Sequence, residues 1–397
     1  MDNKPVNTPE EHGGVQAAID VAAKNGGVVL LRGRYQCPAL RLAPNVHLRL
    51  ERGSVLQASA SLEDYISLAE VDNGQNRGVG TPVQRKPAFV FLYAKDCANV
   101  KITGEGTIDA NGGEFMYQVN PGYWTGYFYP RPTTVYFENC RDVEISGVTI
   151  INAPFWTIHP AGCVNVLIDK VKILNPLTWA NSDGIDPDHC QNVKITNCVI
   201  ECADDCICLK NTLGNSEYPH LRGVEVSGCS LRSSSAAIKI GTEGIADFED
   251  ILVHDCKVLQ SNRGISIQLR DCGSIRNAVF RNIDIEARNH PKVFWGSGEP
   301  ICVTLRPRDG ATTVGKIHGL LLEDITCRGE NGLLFYDHAR RLPLEQYDRR
   351  HPIDGVTLRG VSLDIDEAAL QDAQGYDLRP GLGEESLDIP RGEVVVA

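Results

Sequence analysis

The sequence predicts an all-β fold: a parallel β-helix of short coils, closed at its start by a capping helix. Three observations predict it. One phrase returns along most of the chain, an Asn, Asp or Gly followed by a short alternating apolar run. These runs are β-branched and punctuated by turn residues, a pattern that helices do not carry. A constant offset then joins successive runs into ladders, as stacked coils require.

The elements follow in order. Gly14 to Ala23 has helical spacing and stops at Asn25-Gly26-Gly27. Val28-Val29-Leu30-Leu31 and Asn45 to Leu50 read as strands, so the helix covers the open first edge of the array. The phrase begins at Asn99, Asp142, Asn165, Asn192, Gly223, Asp250, Asn277, Gly319 and Gly355. In the middle the steps are roughly 23 to 31 residues, the length of one coil with variable turns. From Val193, Val224 and Ile251 one offset reaches Ile207, Ile238 and Ile265, and two residues on lie Leu209, Ile240 and Ile267. These are two inward ladders. Longer intervals are expected to be loops: apolar Phe89 to Asn99, aromatic Phe115 to Pro132, Ala287 to Pro300 with Trp295, and Arg340 to His351. The acidic stretch after Ile365 reads as a partly ordered cap.

For 397 residues a length prior suggests two or three domains, but a repeat overrides it. The expectation is one β-helix domain over 1–397, with a cap over about 1–45 and an acidic tail over about 366–397. A net charge of −12 argues against nucleic acid and anionic membranes as partners. No apolar run is long enough to span a bilayer. The N-terminus lacks the order of a secretory signal, which points to the cytoplasm, or to a secreted or periplasmic protein trimmed of its leader. The fourteen cysteines lack zinc spacing and mostly follow Asn, Asp or Gly, as buried reduced thiols stacking between coils would. That favours a reducing compartment.

Chemistry concentrates in Asn181-Ser182-Asp183-Gly184-Ile185-Asp186-Pro187-Asp188 and in Ala203-Asp204-Asp205-Cys206-Ile207. Gathered carboxylates repel and are costly to desolvate unless something uses them. Neighbours on a strand face opposite ways, so Asp204 and Asp205 share a cleft only at a bend, where the register puts a corner. Asp183 lies about one coil earlier, and adjacent rungs are about 4.8 Å apart. Three acids in one cleft suit acid–base cleavage of a glycosidic bond, with one group kept protonated by repulsion and burial.

These coil phrases and both acidic runs resemble the polygalacturonase family of glycoside hydrolases, family 28, from the Gln16 to Ile19 helix to about Leu363. The resemblance implies a right-handed β-helix that hydrolyses pectic chains with inversion and without metal or cofactor. Residue by residue, it implies Asp204 as general acid, Asp183 and Asp205 as the pair activating water, and Lys210 as a further match. The family's Gly-His-Gly falls on Ser235-Ala236-Ala237, and its Arg-Ile-Lys, which grips the sugar carboxylate, on Ser266-Ile267-Gln268. Without those cations a neutral or differently charged sugar fits better than polygalacturonate.

Lys239, Glu243, Arg270, His159 and Trp295 are further candidates to touch substrate. Lys239 and Glu243 compete with a surface ion pair, Trp295 with packing and His159 with a hydrogen-bonded strand end. Asp188 reads as a supporting residue beside Pro187. The partner expected is an oligosaccharide or polysaccharide, attacked from one end if the long loops wall off the cleft; a homo-oligomer is also compatible. A β-helix lyase or epimerase and a non-catalytic carbohydrate-binding β-helix stay open.

Overall fold

The computed structural model describes residues 4–68, 86–127, 131–290, 294–308, 312–337 and 353–366. All nine phrase-opening residues have a left-handed backbone, with φ between 55° and 92°. Asn, Asp and Gly are the residues that tolerate it, which is why the phrase begins with them. The side chains at these corners also stack: Asn192 Nδ2 donates to Asn165 Oδ1 at 3.2 Å, and Asn165 Nδ2 to Asp142 Oδ1 at 2.9 Å.

Each coil contributes strands to three parallel ladders. The first holds Ala98–Gly104, Arg141–Ser146, Val164–Asp169, Gln191–Thr196 and Arg222–Ser227. The second holds Thr107–Asp109, Thr149–Ile151, Lys172–Leu174, Val199–Cys202 and Ser230–Ser233. From Phe248–Ser261 to Ile317–Gly329 one long strand serves both, and the last coil has separate strands Val356–Arg359 and Ser362–Ile365. The third holds Phe89–Lys95, Thr133–Glu138, Ile158–Ala161, Ile207–Asn211, Ala236–Gly244, Arg263–Leu269, Glu299–Leu305 and Leu334–Asp337. The expected register holds, with Val193 opposite Val224, Ile207 opposite Ile238 and Ile238 opposite Ile265. These inward residues are buried, and sequestering each such side chain stabilises by about 1.5–3 kcal/mol.

The helix Val15–Asn25 buries Val15, Ala18, Ile19 and Ala22 over the first coil and ends at left-handed Gly26. All fourteen cysteines are free thiols and twelve are buried. Cys140, Cys163 and Cys190 each donate to the carbonyl two residues back, at 3.4, 3.5 and 3.4 Å, so the thiols help close one corner of successive coils.

Two expected loops contain strands. Phe89–Lys95 is a rung of the third ladder, buried on both faces for most of its length, so no alternation marks it. The aromatic stretch holds an antiparallel hairpin of Met116–Asn120 and Tyr123–Gly126. The expected loop 340–351 and nearly all of the tail lie outside the described residues. Among the described residues no helix is long and apolar enough to cross a membrane.

Candidate active site

The third ladder builds the site. Ile185 bridges Ile158 on one side and Ile207 on the other, so the aspartate-rich run forms a rung although it is not a full strand. Gly184 N donates to Asp205 O at 2.9 Å, and Thr157 N to Asp183 O at 2.9 Å. Asp183 and Asp205 thus occupy matching positions on adjacent rungs. Asp204 sits in the bend between Val199–Cys202 and Ile207–Asn211, the corner at which adjacent aspartates can share a cleft. Ser233 Oγ donates to Asp204 O at 2.5 Å and helps hold that bend.

One carboxylate oxygen from each of Asp183, Asp204 and Asp205 lies within 4.8 Å of the others. Asp183 and Asp205 are buried; Asp204 alone is partly open to solvent. Burial, then the charges of Asp204, Asp186 and Asp205, pushes the Asp183 carboxyl well above its ordinary range. Asp183 therefore holds its proton to higher pH than a free aspartate, because neighbouring carboxylates cannot all ionise cheaply. Three such oxygens are also a donor set for a cation, but Lys239 Nζ, 2.6 Å from Asp205 Oδ2, already brings positive charge there.

The other candidates fall in outward rows of the same ladder. Lys239 and Glu243 are buried in the face rather than paired on the surface, with exposures of 4% and 6%. Lys210 Nζ stands 3.8 Å from Glu243 Oε2, 3.9 Å from Asp186 Oδ1 and 4.3 Å from the Trp156 ring centroid. Arg270, also buried, follows Leu269, whose partners on adjacent rungs are Thr242 and Leu305. Arg270 therefore continues the Lys210–Glu243 row toward the C-terminus. His159 is buried among aromatic rings. Its ring lies 4.9 Å from Tyr136 and 4.8 Å from Trp156, and its Nε2 is 3.2 Å from Asp188 Oδ2. Trp295, half-exposed, sits on the segment next to Arg263 and Glu299, rungs beyond the carboxylates. Its neighbour Phe294 meets Tyr123 of the hairpin at 5.6 Å, so the two aromatic segments touch.

The supporting role expected for Asp188 has a clear geometry. Its carboxylate accepts from Thr212 N at 2.9 Å, Thr212 Oγ1 at 2.6 Å and Asn215 Nδ2 at 2.8 Å. Burial opposes its charge, yet the hydrogen bonds and the nearby histidines hold its carboxyl down to about 2. Asn215 also accepts from Tyr136 Oη at 3.1 Å, and Tyr218 Oη donates to Glu138 at 3.0 Å. The segment 212–218 is thereby tied across the rungs that precede the carboxylates.

Sequence reasoning offered Asp186 only as a turn cap beside Pro187 and gave no role to Asn181 or Arg131. Asp186 is fully buried, with neither carboxylate oxygen hydrogen-bonded; burial raises its carboxyl well above the usual range although Lys210 opposes this. Arg131 and Asn181 reach Asp204 through hydrogen bonds. Two residues at the places of the family cations are neutral and buried, and Ser266 Oγ and Gln268 Oε1 lack hydrogen-bond partners. A groove of about 1120 Å³ lies elsewhere, over the first ladder, lined by His47, Arg49, Lys101, Glu144 and Asp169 among others. It mixes both signs of charge and includes none of the clustered carboxylates.

Residues 73–367 match the profile described as glycosyl hydrolases family 28. A probable polygalacturonase from Vitis vinifera is 27% identical over 307 residues, covering 75% of this chain and 60% of that protein. An exopolygalacturonase from Zea mays is 27% identical over 282 residues, covering 67% and 62%. The chain therefore spans somewhat under two thirds of the length of these curated relatives. Among solved structures, an exopolygalacturonase from Thermotoga maritima superposes with a TM-score of 0.66 at 17% identity, covering 91% of this chain and 92% of that one. The endo-xylogalacturonan hydrolase from Aspergillus tubingensis gives 0.59 at 15% identity, covering 91% and 94%. At such identities the likeness speaks for the fold, a right-handed parallel β-helix.

Proposed function

The chain belongs to family 28 of the glycosyl hydrolases, and from that premise we propose that it hydrolyses glycosidic bonds in a pectin-type oligosaccharide or polysaccharide. In this reading Asp204 protonates the leaving oxygen, while Asp183 and Asp205 hold and activate the attacking water. One observation carries it: the only solvent-reaching member of the three clustered carboxylates stands beside two buried ones on adjacent rungs. An acid must reach the substrate, and a water-holding pair must present two acceptors to one small molecule. Lys239 keeps Asp205 in its acceptor form by charge and hydrogen bond.

The stereochemical course proposed is inversion. By separation alone, oxygens within 4.8 Å of one another fall nearer the roughly 5 Å usual for retention than the roughly 6.5–9.5 Å usual for inversion. What supports inversion here is the in-register Asp183–Asp205 pair, placed to bind one water between them. Proton NMR of the first sugar released, with mass spectrometry of the products, tests both steps. The expected products carry the mass of added water and appear first as the inverted anomer. Unsaturated products would mean a lyase, and a retained anomer would remove the water-holding role of the pair.

The sugar proposed at the cleavage point is neutral. Ser266 and Gln268, both buried and uncharged, stand where the resemblance places the cations that grip a sugar carboxylate, so a uronate there lacks a charge-assisted clamp. Ser266 and Gln268 offer a hydroxyl and an amide, which suit sugar hydroxyls. The double variant Ser266→Arg with Gln268→Lys is expected to raise kcat/KM on polygalacturonate by about tenfold, the scale of one charge-assisted hydrogen bond. Strong cleavage of polygalacturonate by the unmodified protein, measured as reducing ends, would overturn the neutral-sugar assignment. Lys210, Lys239, Glu243, Arg270 and Trp295 are proposed to contact the bound chain.

Attack from a chain end is the mode proposed. Tyr136 and His159 face outward on the third ladder and are nevertheless covered, with segment 212–218 tied above their rungs. A long polysaccharide has no open path along that side. The buried free thiols support action in a reducing compartment.

A further inference from the structure

We infer that Arg131 and Asn181 are positioning residues for the general acid, Arg131 fixing the Asn181 side-chain amide so that its nitrogen is presented to Asp204. The inference rests on Asp204 as the acid. Arg131 is 2% exposed and its guanidinium is held on three sides. Nε donates to Pro154 O at 2.8 Å, Nη2 donates to Ala180 O at 2.8 Å, and the charge lies 5.2 Å from the Phe155 ring centroid. Nη2 also donates to Asn181 Oδ1 at 2.8 Å, and Asn181 Nδ2 lies 3.4 Å from Asp204 Oδ2.

The direction of this chain follows from chemistry. A guanidinium only donates, so the Asn181 atom facing it must be the carbonyl oxygen. The amide nitrogen then has to face Asp204. An amide without such a partner turns over readily and would offer its oxygen instead. Asn181 has φ 58°, a backbone state that Asn tolerates and that aims its short side chain between the two partners. Asp204 Oδ1 meanwhile accepts from Asp205 N at 3.1 Å. Both oxygens of the acid are thus addressed by N–H donors, which fixes the carboxyl plane and welcomes the carboxylate left after proton transfer.

The donors work against a strongly acidic setting. Among the described residues, Asp183 and Asp186 each feel the charge of Asp204, Asp205 adjoins it in the chain, Lys210 faces Asp186 and Lys239 pairs with Asp205. Loss of one donor leaves repulsion less opposed, and the acid then gives up its proton at higher pH.

The test uses Asn181→Asp and Asn181→Gly, both compatible with the left-handed backbone, and Arg131→Lys as the upstream variant. Rates are measured from pH 3 to 9 on trigalacturonate or a galactan trisaccharide, whichever the unmodified protein cuts faster. The expected result for both Asn181 variants is a kcat lowered by about tenfold or more, as for a misplaced catalytic group. KM stays within about threefold, and the basic limb of the kcat profile moves up by roughly half a pH unit or more, furthest in Asn181→Asp. Arg131→Lys follows the same direction. An unchanged profile in the Asn181 variants overturns the inference. A lowered kcat with an unmoved limb and a lowered melting temperature also overturns it, since packing alone would explain that. Asp204→Asn run beside them keeps the two readings apart: an active Asp204→Asn removes the acid assignment itself, whereas an inactive one with normal Asn181 variants removes only the relay.

Discussion

Asp204→Asn is expected to lower kcat/KM by about 10²–10⁴-fold, the range that general acid catalysis supplies. The substitution keeps the shape of the side chain and its hydrogen bond from Asp205 N but cannot deliver a proton. Because Asp204 is the least buried of the three acids, the fold has little reason to notice, and the melting temperature should stay within a few degrees of the unmodified protein. Oligosaccharide affinity, measured by calorimetry, should persist. Removing one carboxylate from a crowded cluster also relieves repulsion on Asp183, so a small gain in stability would be consistent. Full activity in this variant would move the acid role to another residue.

Asp188→Asn is expected to act on the fold. Asp188 is a fully buried carboxylate served by Thr212, Asn215 and His159, and breaking such a charged network costs about 3–5 kcal/mol. An amide in its place turns two hydrogens toward groups that are themselves donors. The pH dependence gives the effect a signature. Its folded pKa, about 2, lies below the ordinary aspartate value of 3.8. The stabilisation is therefore complete above about pH 4 and is lost as pH falls toward 2. At 1.36 kcal/mol per unit the pH-sensitive part is about 2 kcal/mol. Asp183 and Asp186 run the other way: their raised folded values favour the fold in acid and weaken it as pH climbs. They are common to both proteins, so the difference between protein and variant isolates Asp188. Urea midpoints for the pair at pH 2, 3, 4 and 7 should show a gap that is constant from 7 to 4 and narrows below. A gap independent of pH would mean that Asp188 is not the ionised anchor described.

Much of this was legible in the chain because a coil writes its register locally. Each left-handed corner needs Asn, Asp or Gly, and each inward position needs an apolar residue at a fixed distance from that corner. Ile207 and Ile238 could be paired from spacing alone, and the bend at Asp204 followed. What escaped has a physical reason in each case. Phe89–Lys95 lacks alternation because something covers its outer face as well. Asp186 and Asp188 look alike in sequence, and only the donors arriving from residues 212–215 make one an ionised anchor while the other stays without a hydrogen bond. Arg131 lies fifty residues before Asn181, inside a stretch that reads as an irregular aromatic loop, and no local pattern announces its contact. Burial of Lys239 and Glu243 was likewise invisible, since outward positions on a coil are exposed unless a distant segment lies over them.

The hydrogen bond from Gly184 N to Asp205 O makes the gap between Asp183 and Asp205 a property of the backbone. That gap comes in whole steps of about 4.8 Å, like the spacing of planes in a crystal. Side-chain changes on the surface have no continuous handle on it, and swings of the connecting segments leave it alone. A coil added before Asp183 or after Asp205 would carry the cluster along unaltered; one inserted between them would pull the two carboxylates a full step apart. Such a chain can lengthen at either end and rebuild its outer turns, and Asp183 and Asp205 will still stand one step apart.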